Sequence, residues 1–181
     1  MDVLDAITRR RMQRSFAERP VPEGLLRQVA DAAARAPMAA NVAVRRIVIV
    51  TDRAVLKTLR QLTPGLGVEP PALLALCSDL RVASAETGRH GCCISSYIDA
   101  GAAAENAALA AAALGLGASF ARSCTESAIR VALGLPAHVR PDILVSVGYV
   151  AASRSRAPRR PAIPIFYDQY GSTSRDRVAE S

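Results

Sequence analysis

The chain of 181 residues carries a formal net charge of +7, and half of its residues are hydrophobic. This length suits one domain with a real core, and the hydrophobic share excludes a disordered chain. The positive charge indicates an anionic partner, and Lys57 is the only lysine among the 23 basic residues. Because arginine forms paired hydrogen bonds with phosphate, a phosphate-bearing ligand is one candidate, beside nucleic acid and an anionic membrane.

The chain shows no sign of export, membrane insertion or a metal site. Its acidic start, "MDVLD", is unlike a secretory signal, and the apolar stretch at 100–116 is interrupted by Glu105 and Asn106 and too short to span a bilayer. We therefore expect a cytoplasmic protein without membrane contact. The two histidines add no zinc spacing to the four cysteines, which we expect to be ordinary thiols: Cys77, Cys92, Cys93 and Cys124.

Apolar periodicity and capping residues predict the elements of the first eighty residues. Pro22 opens one helix, and Thr51 or Asp52 caps another. In chain order we expect helices at 2–9 and 22–35, a loop at 36–44, a buried strand at 45–50, a helix at 51–62, a turn-rich loop at 63–71 and a buried strand at 72–78.

The second half begins with residues 79–96, which show no clear period and are predicted to form a lid or a loop at the edge of a pocket. An alanine-rich helix that is apolar nearly all round follows, so it must be buried, either centrally or between subunits. We expect this helix at 97–115, a short strand or turn at 116–121, a helix between Thr125 and Gly134, a buried strand at 141–150 and a basic, then polar tail.

Helices and buried strands alternate along the chain without repeats or an internal linker. This order predicts a single domain of the mixed α/β (α+β) class, with helices on the faces of a sheet. The domain is expected to cover residues 1–161. The extension at 162–181 is too poor in apolar residues to fold alone, but its segment "PIFYDQY" predicts that part of it packs, on a partner subunit for example.

Arginines cluster in two places, "TRRRMQRSF" at 8–16 and "RSRAPRRP" at 154–161. They could bind nucleic acid, remain as solvated surface charges, or converge on one phosphate. Nucleic acid is disfavoured, because the chain has no tryptophan, only 4% aromatic residues and no nucleic-acid motif. The residues alone support the other two interpretations, solvated surface charges and convergence on one phosphate, equally well.

Five motifs in order resemble the nitroreductase family of flavin enzymes, over roughly residues 3–161. They are the arginine start at 10–16, "AARAPMAAN" at 33–41, "AGAAAENAALAAAALGLG" at 100–117, "ALGLPAHVRPDILVSVGY" at 132–149 and "APRRP" at 157–161. Within that family, "TPGLGVEPPALLALCSD" and "RRPAIPIFYDQYG" are most similar to the cyclodipeptide oxidase branch, whose flavin subunits desaturate cyclic dipeptides.

The resemblance implies FMN bound in a cleft at the interface of a homodimer, with both chains contributing. It implies a phosphate and ribityl end, or flavin edge, formed by Arg10, Arg11, Met12 and Arg14 and closed from the C-terminal side by Arg159 and Arg160. It implies a ring site formed by two further segments, in which the Asn41 amide meets the polar edge of the ring and a backbone N–H meets N5: Pro37, Met38, Ala39 and Asn41, then Phe120, Ala121, Arg122 and Ser123.

The chain departs from the family pattern at the candidate site. Met12 and Met38 replace serines, and Ala39 adds no hydroxyl, so backbone groups must replace side-chain hydrogen bonds to the flavin. Ala43, Val44 and Arg45 replace the usual Gln-Pro-Trp. These changes leave open a family member that has lost FMN.

The resemblance implies hydride transfer at flavin N5, without a separate acid–base machine. The family default is reduction of nitroaromatic or quinone-like substrates with NAD(P)H as electron donor. One alternative is a dehydrogenase or oxidase of a small metabolite such as a cyclic dipeptide, which would imply a small partner subunit. Another is a flavin-binding or degenerate subunit without catalysis.

Overall fold

The computed structural model describes residues 1–66, 70–151 and 162–172. Within them, four strands form one sheet in the order β1-β2-β4-β3, and every neighbouring pair is antiparallel. Strands β2 and β4, which contain long apolar runs, are the central pair, so each pairs with a neighbouring strand along both of its edges. The strands are β1 (Arg45–Val50), β2 (Ala72–Asp79), β3 (Gly117–Ala121) and β4 (Val139–Gly148).

Helices lie on both faces of this sheet. Aspartates begin three of them by accepting backbone N–H groups of the first turn: Asp2 for α1, Asp52 for α3 and Asp79 for α4. The helices are α1 (Val3–Arg9), α2 (Glu23–Ala34), α3 (Arg53–Leu62), α4 (Leu80–His90), α5 (Ser96–Ala113) and α6 (Glu126–Ala132). None of the helices in the described ranges is long and apolar enough to cross a membrane.

Two cores follow from the alternation of side chains along the strands. On β2, Leu74 and Leu76 pack with α2 and α5, while Leu73 and Ala75 pack with α3 and α6 on the opposite face. The predicted mixed α+β domain, with helices on the faces of a sheet, is confirmed. The prediction that β1 is buried was too strong: it pairs with β2 at the edge of the described sheet, and within it only Val50 is fully buried.

The prediction of a lid or loop at residues 79–96 was wrong. Helix α4 fills most of this segment, and a π-helical turn at Gly91–Ser95 joins it directly to α5. Its period was unreadable because Ala83 is its only buried residue, and because Gly88 interrupts it with a φ of 62°. Gly91 is required at the turn, since a Cβ there would overlap the Thr87 side chain.

Candidate functional site

The arginine-rich N-terminal segment packs against the end of the sheet at which β3 begins and β4 ends. The Gln13 N–H donates to the Ala118 carbonyl at 2.9 Å, and the Ala17 N–H donates to the Tyr149 carbonyl at 2.8 Å. Gly117 permits this close packing, because a Cβ there would lie 2.7 Å from Gln13 Cγ and 2.9 Å from Val150 Cγ2. The segment therefore presents its arginines beside the sheet rather than as a loose terminus.

A pocket of about 150 Å³ lies where this segment meets the C-terminal half of α5. Three consecutive arginines and Gln13 form its polar side. Its volume suits a phosphate-sized group but is smaller than the roughly 300–1,000 Å³ of typical small-molecule sites. The remaining lining is mostly apolar, and the cationic side consists of Arg9, Arg10 and Arg11.

The predicted phosphate-end residues differ in their surroundings. Arg10 Nε lies 2.7 Å from Glu105 Oε1 on α5, so a carboxylate offsets part of its charge. Arg11 donates to the carbonyls of Thr8 and Arg10. Met12 forms an isolated parallel β-bridge with Ala118 and is 36% exposed. Arg14 is exposed. Arg159 and Arg160 lie outside the described residues.

The loop at 37–41 is held by α5. The Ala39 N–H donates to Asp99 Oδ2 at 3.0 Å, and the next two residues, Ala40 and Asn41, have φ values of 52° and 57°. Both lie in the left-handed region, which is costly for alanine and tolerated by asparagine. Pro37 and Asn41 are exposed, while Met38 and Ala39 are half-buried.

Helix α5 separates this loop from the N-terminal arginines. Asp99 contacts the loop after α2, and Asn106, on the same side, donates to the Ala32 carbonyl of α2 at 3.2 Å. Glu105, which pairs with Arg10, is six residues beyond Asp99, about 9 Å along the axis and about 120° around it. One chain therefore holds the two predicted parts of the site on different sides of one helix.

The third predicted segment lies at the other end of β3. Phe120 is half-buried against the larger core, whereas the Ala121 side chain is buried on the opposite face of the sheet. Arg122 and Ser123 follow the strand and are exposed. Arg122 is four positions after Ala118, which lies beside the arginine pocket, and four positions correspond to about 13 Å along a strand.

Arg122 is held by an aromatic and an acidic neighbour. Its Nη2 donates to Tyr97 Oη at 3.0 Å and to Glu126 Oε1 at 2.9 Å. Partial burial lowers the pKa of Arg122, but Tyr97 and Glu126 outweigh it and the net shift is upward. Arg122 is therefore a fixed positive charge with a restrained orientation.

A buried network behind Tyr97 ties α5 to the sheet. Arg140 lies 3.7 Å from the centroid of the Tyr97 ring, and its guanidinium donates to Ser96 Oγ and Asp142 Oδ1. The pairing of β2 with β4 shifts register next to Asp142, where the neighbouring proline lacks an N–H for the ladder. Burial raises the pKa of Asp142, although Ser78 and Arg140 donate to its carboxylate.

Two of the four cysteines, Cys77 and Cys124, are not activated as nucleophiles, because the pKa of each thiol is raised. Burial, with a smaller contribution from Asp142, raises the pKa of Cys77 to about 12, and burial also raises the pKa of Cys124. All four cysteines are free thiols. Across residues 1–66, 70–151 and 162–172, no group of three or more His, Cys, Asp or Glu side chains is arranged to hold a metal ion.

The sequence interpretation missed three side chains that organise this region: Arg45, Asp99 and Glu105. Asp99 fixes the loop, Glu105 pairs with Arg10, and Arg45 was noticed only as a departure from the family pattern. A signal was present, since these two acids are the only charged side chains in the alanine-rich helix. A charge in a mostly buried helix indicates a specific partner.

The model of the nitroreductase family matches residues 7–78 and 69–149. The chain belongs to the nitroreductase family. A protein from Thermus thermophilus named NADH dehydrogenase is 33% identical over 193 residues, covering 89% of this chain and 94% of that protein. A protein from Methanothermobacter thermautotrophicus, with the provisional name NADH dehydrogenase/NAD(P)H nitroreductase, is 31% identical and covers 83% of this chain and 78% of its own length.

Solved structures agree with this nitroreductase membership at the level of the fold. Nitroreductase A from Vibrio parahaemolyticus superimposes with a TM-score of 0.80 at 22% identity, covering 99% of this chain and 80% of that one. The resemblance predicted from the five motifs is confirmed, and the chain is an oxidoreductase of this family. The similarity to the cyclodipeptide oxidase branch stays a prediction.

Proposed function

We propose that the chain is an FMN-dependent oxidoreductase of the cytoplasm that uses NAD(P)H to reduce nitroaromatic or quinone-like substrates. The observation that carries this proposal is the arginine-lined pocket at one end of β3, with Arg122 and Ser123 about 13 Å along the strand. A phosphate-bearing ligand with a long linker and a planar head suits this spacing. The names of the two relatives support the nicotinamide donor.

The residues present fit the phosphate end of FMN. Guanidinium groups and an apolar floor would receive the phosphate and the start of the ribityl chain. Val150 lines the same pocket, and Arg159 is nine residues further along the chain. Arg159 and Arg160 lie outside the described residues, and their contact with the phosphate stays part of this proposal.

The proposed site is completed by a second copy of the chain. The pocket of one chain is too small for a flavin, and α5 keeps the loop at 37–41 on a different side from the arginines. We infer a homodimer in which the arginines of one subunit and the loop of the other enclose the ligand. Large apolar side chains exposed in the single chain would be covered by this dimer: Val3, Leu4, Ile98, Ile163 and Ile165.

When bound, FMN would supply the hydride donor and acceptor at N5. The chain would bind and orient it: Asn41 through its exposed amide, and residues 121–123 through backbone N–H groups. Arg122, held by Tyr97 and Glu126, would contribute a fixed positive charge near the ring. Hydroxyls missing at Met12, Met38 and Ala39 would be replaced by backbone groups.

A second candidate is an FMN-dependent dehydrogenase or oxidase of a small metabolite such as a cyclic dipeptide, with a small partner subunit. The similarity of 63–79 and 159–171 to the cyclodipeptide oxidase branch favours it. A third candidate is a flavin-binding subunit without catalysis.

One spectroscopic experiment separates these candidates. The purified protein is mixed with FMN, freed of excess flavin and examined by visible absorption under anaerobic conditions. We expect retained flavin that NADH or NADPH bleaches and a quinone then restores. Bleaching by a cyclic dipeptide but not by nicotinamides would favour the second candidate, retained flavin that neither bleaches would favour the third, and absence of bound flavin would contradict the proposal.

A further inference from the structure

The guanidinium of Arg45 lies at the junction of α2, the loop at 37–41 and α5. Its side chain is half-buried at the first position of β1. Both terminal nitrogens donate only to backbone oxygens, at 3.0 to 3.3 Å: Nη1 to Ala33, Ala34 and Ala36, and Nη2 to Pro37 and Asp99.

These bonds cap the C-terminal end of α2. The last carbonyls of a helix have no partner within the helix, and a cation there is favoured by the helix dipole. Burial lowers the pKa of Arg45 and the Asp99 carboxylate opposes that shift, but an arginine remains charged in either case. The bond to Pro37 extends the cap into the loop.

Asp99 holds the same loop from the other side. Its backbone oxygen accepts from Arg45, and its carboxylate accepts from the Ala39 N–H at 3.0 Å. The next residue, Ala40, adopts a φ of 52°, a region that alanine disfavours and glycine would tolerate. The loop at 37–41 contains no glycine. A strained conformation of this kind persists only where neighbouring contacts determine it.

We propose that Arg45 and Asp99 form a clamp on the loop at 37–41 that keeps Ala40 and Asn41 in the left-handed conformation with which the loop meets the isoalloxazine ring of FMN. Arg45 is thus a positioning residue, which acts through the loop without touching the cofactor. This inference rests on the proposed function. Without the clamp the loop relaxes toward ordinary φ values, and only a fraction of the molecules is competent to bind.

Arg46 provides a matched control on the same strand. It is the neighbouring arginine and also bonds to backbone carbonyls, those of Ala43 and Arg45, with Asp79 as its acidic partner. None of these bonds reaches residues 37–41. Replacing Arg46 therefore removes the same charge and three hydrogen bonds, against five for Arg45, without releasing the loop.

The test compares Arg45→Met, Arg46→Met, Ala40→Gly and the double variant Arg45→Met with Ala40→Gly. The FMN dissociation constant is measured by quenching of flavin fluorescence, and the fold is checked by the thermal midpoint of the flavin-free protein. If Arg45→Met leaves about a tenth of the molecules competent, its dissociation constant rises about tenfold. Arg46→Met stays within about twofold of the wild type.

Ala40→Gly distinguishes positioning from general stability. Glycine adopts positive φ without steric cost, so in the double variant it restores at least half of the lost affinity on a logarithmic scale. A folded Arg45→Met variant that binds FMN like the wild type, or that glycine at position 40 does not rescue, overturns the clamp alone. A wild type that does not bind FMN overturns the proposed function, and the role of Arg45 with it. If Arg45→Met does not fold, Arg45→Lys with and without Ala40→Gly gives the same comparison.

Discussion

At the scale of single residues, several charged side chains meet where β2 ends and α4 begins. The Asp79 side chain is 6% exposed and lies 3.1 Å from Arg46, 3.9 Å from Arg81 and 3.9 Å from His138. Burial alone would raise the pKa of Asp79. The backbone N–H of Val82, the charge of Arg46, the backbone N–H of Arg81 and the charge of His138 together outweigh that effect, so the pKa is lowered from 3.8.

This shift predicts how Asp79→Asn changes the stability at different pH values. Because the folded pKa lies below the unfolded one, the charge stabilises the protein above about pH 4 and loses that effect as pH falls through the folded pKa. Asparagine keeps the helix cap but removes the charge. At pH 7 we expect the free energy of unfolding to fall by about 1–2 kcal/mol, and the difference to shrink toward pH 3.

Urea unfolding of wild type and variant at the two pH values measures this effect. Asp52→Asn is the matched control, since Asp52 caps α3 at an exposed position through one backbone N–H. It should cost a few tenths of a kcal/mol, since asparagine and aspartate cap about equally well. A cost of Asp79→Asn that is the same at pH 7 and pH 3 would contradict the electrostatic account.

The role of a side chain could be predicted from the sequence where its partner lies within a few residues, and not where its partner is distant along the chain. Asp52 was one of two caps expected for its helix, and the structure selects it through the Val55 N–H. The partner of Arg10 could not be read in this way, because Glu105 is 95 positions away. Arg45 was equally unreadable, since all five of its acceptors are backbone oxygens, which any residue provides.

At the scale of elements, α5 is the helix on which the proposed dimer depends. Gly101 lies inside this helix and is exposed, and a Cβ there would contact nothing in the described part of the same chain. Glycine in a helix interior costs about 1 kcal/mol relative to alanine. Ile98, 67% exposed, lies nearby on the helix surface. An exposed glycine beside an exposed isoleucine suits a helix that another helix approaches closely.

We therefore expect Gly101→Leu to weaken the dimer while leaving the chain folded. The single chain has room for the leucine, but a partner packed there would be displaced at a cost of about 1–3 kcal/mol. The dimer dissociation constant, from sedimentation equilibrium, should rise at least about fivefold. Gly24→Leu on α2, where a Cβ also contacts nothing, is the control and should have no effect on assembly. Equal dissociation constants for both variants would argue against α5 at the interface.

Elements with a strong apolar period or a long apolar run were predictable, and those with neither were not. The alanine-rich helix was expected at 97–115, and the structure has Ser96–Ala113. Helix α4 was missed because its exposed surface provides no stripe, and its cap, Asp79, was assigned to the following loop. The π turn at Gly91–Ser95 begins at Gly91, where a Cβ would overlap the Thr87 side chain, and no apolar pattern in the sequence indicates it.

At the scale of the whole molecule, alternating helices and strands predicted the class of the fold but not the order of its strands. The order β1-β2-β4-β3 depends on which apolar strands pair, and Val, Leu and Ala runs are compatible with several pairings. The resemblance predicted an arginine site at the N-terminal segment, and a pocket lined by Arg9, Arg10 and Arg11 is consistent with it. The separation of that pocket from the loop by α5 became apparent only from the contacts of Asp99 and Glu105.

In the proposed dimer, each FMN site takes arginines from one subunit and the loop at 37–41 from the other. Two variants inactivate one part each: Arg10→Ala with Arg14→Ala, and Ala39→Pro, which removes the N–H that donates to Asp99. Met38 already has the extended conformation that a residue before proline favours. Both homodimers should lose most of their FMN.

The decisive measurement is the FMN content of the mixed dimer, made with two affinity tags and purified on both. If the site is shared as proposed, one of its two clefts has intact arginines and an intact loop, and the mixed dimer binds one FMN per two chains. If each site is built within one chain, both clefts are damaged, and a mixed dimer as empty as the two parent homodimers would contradict the account.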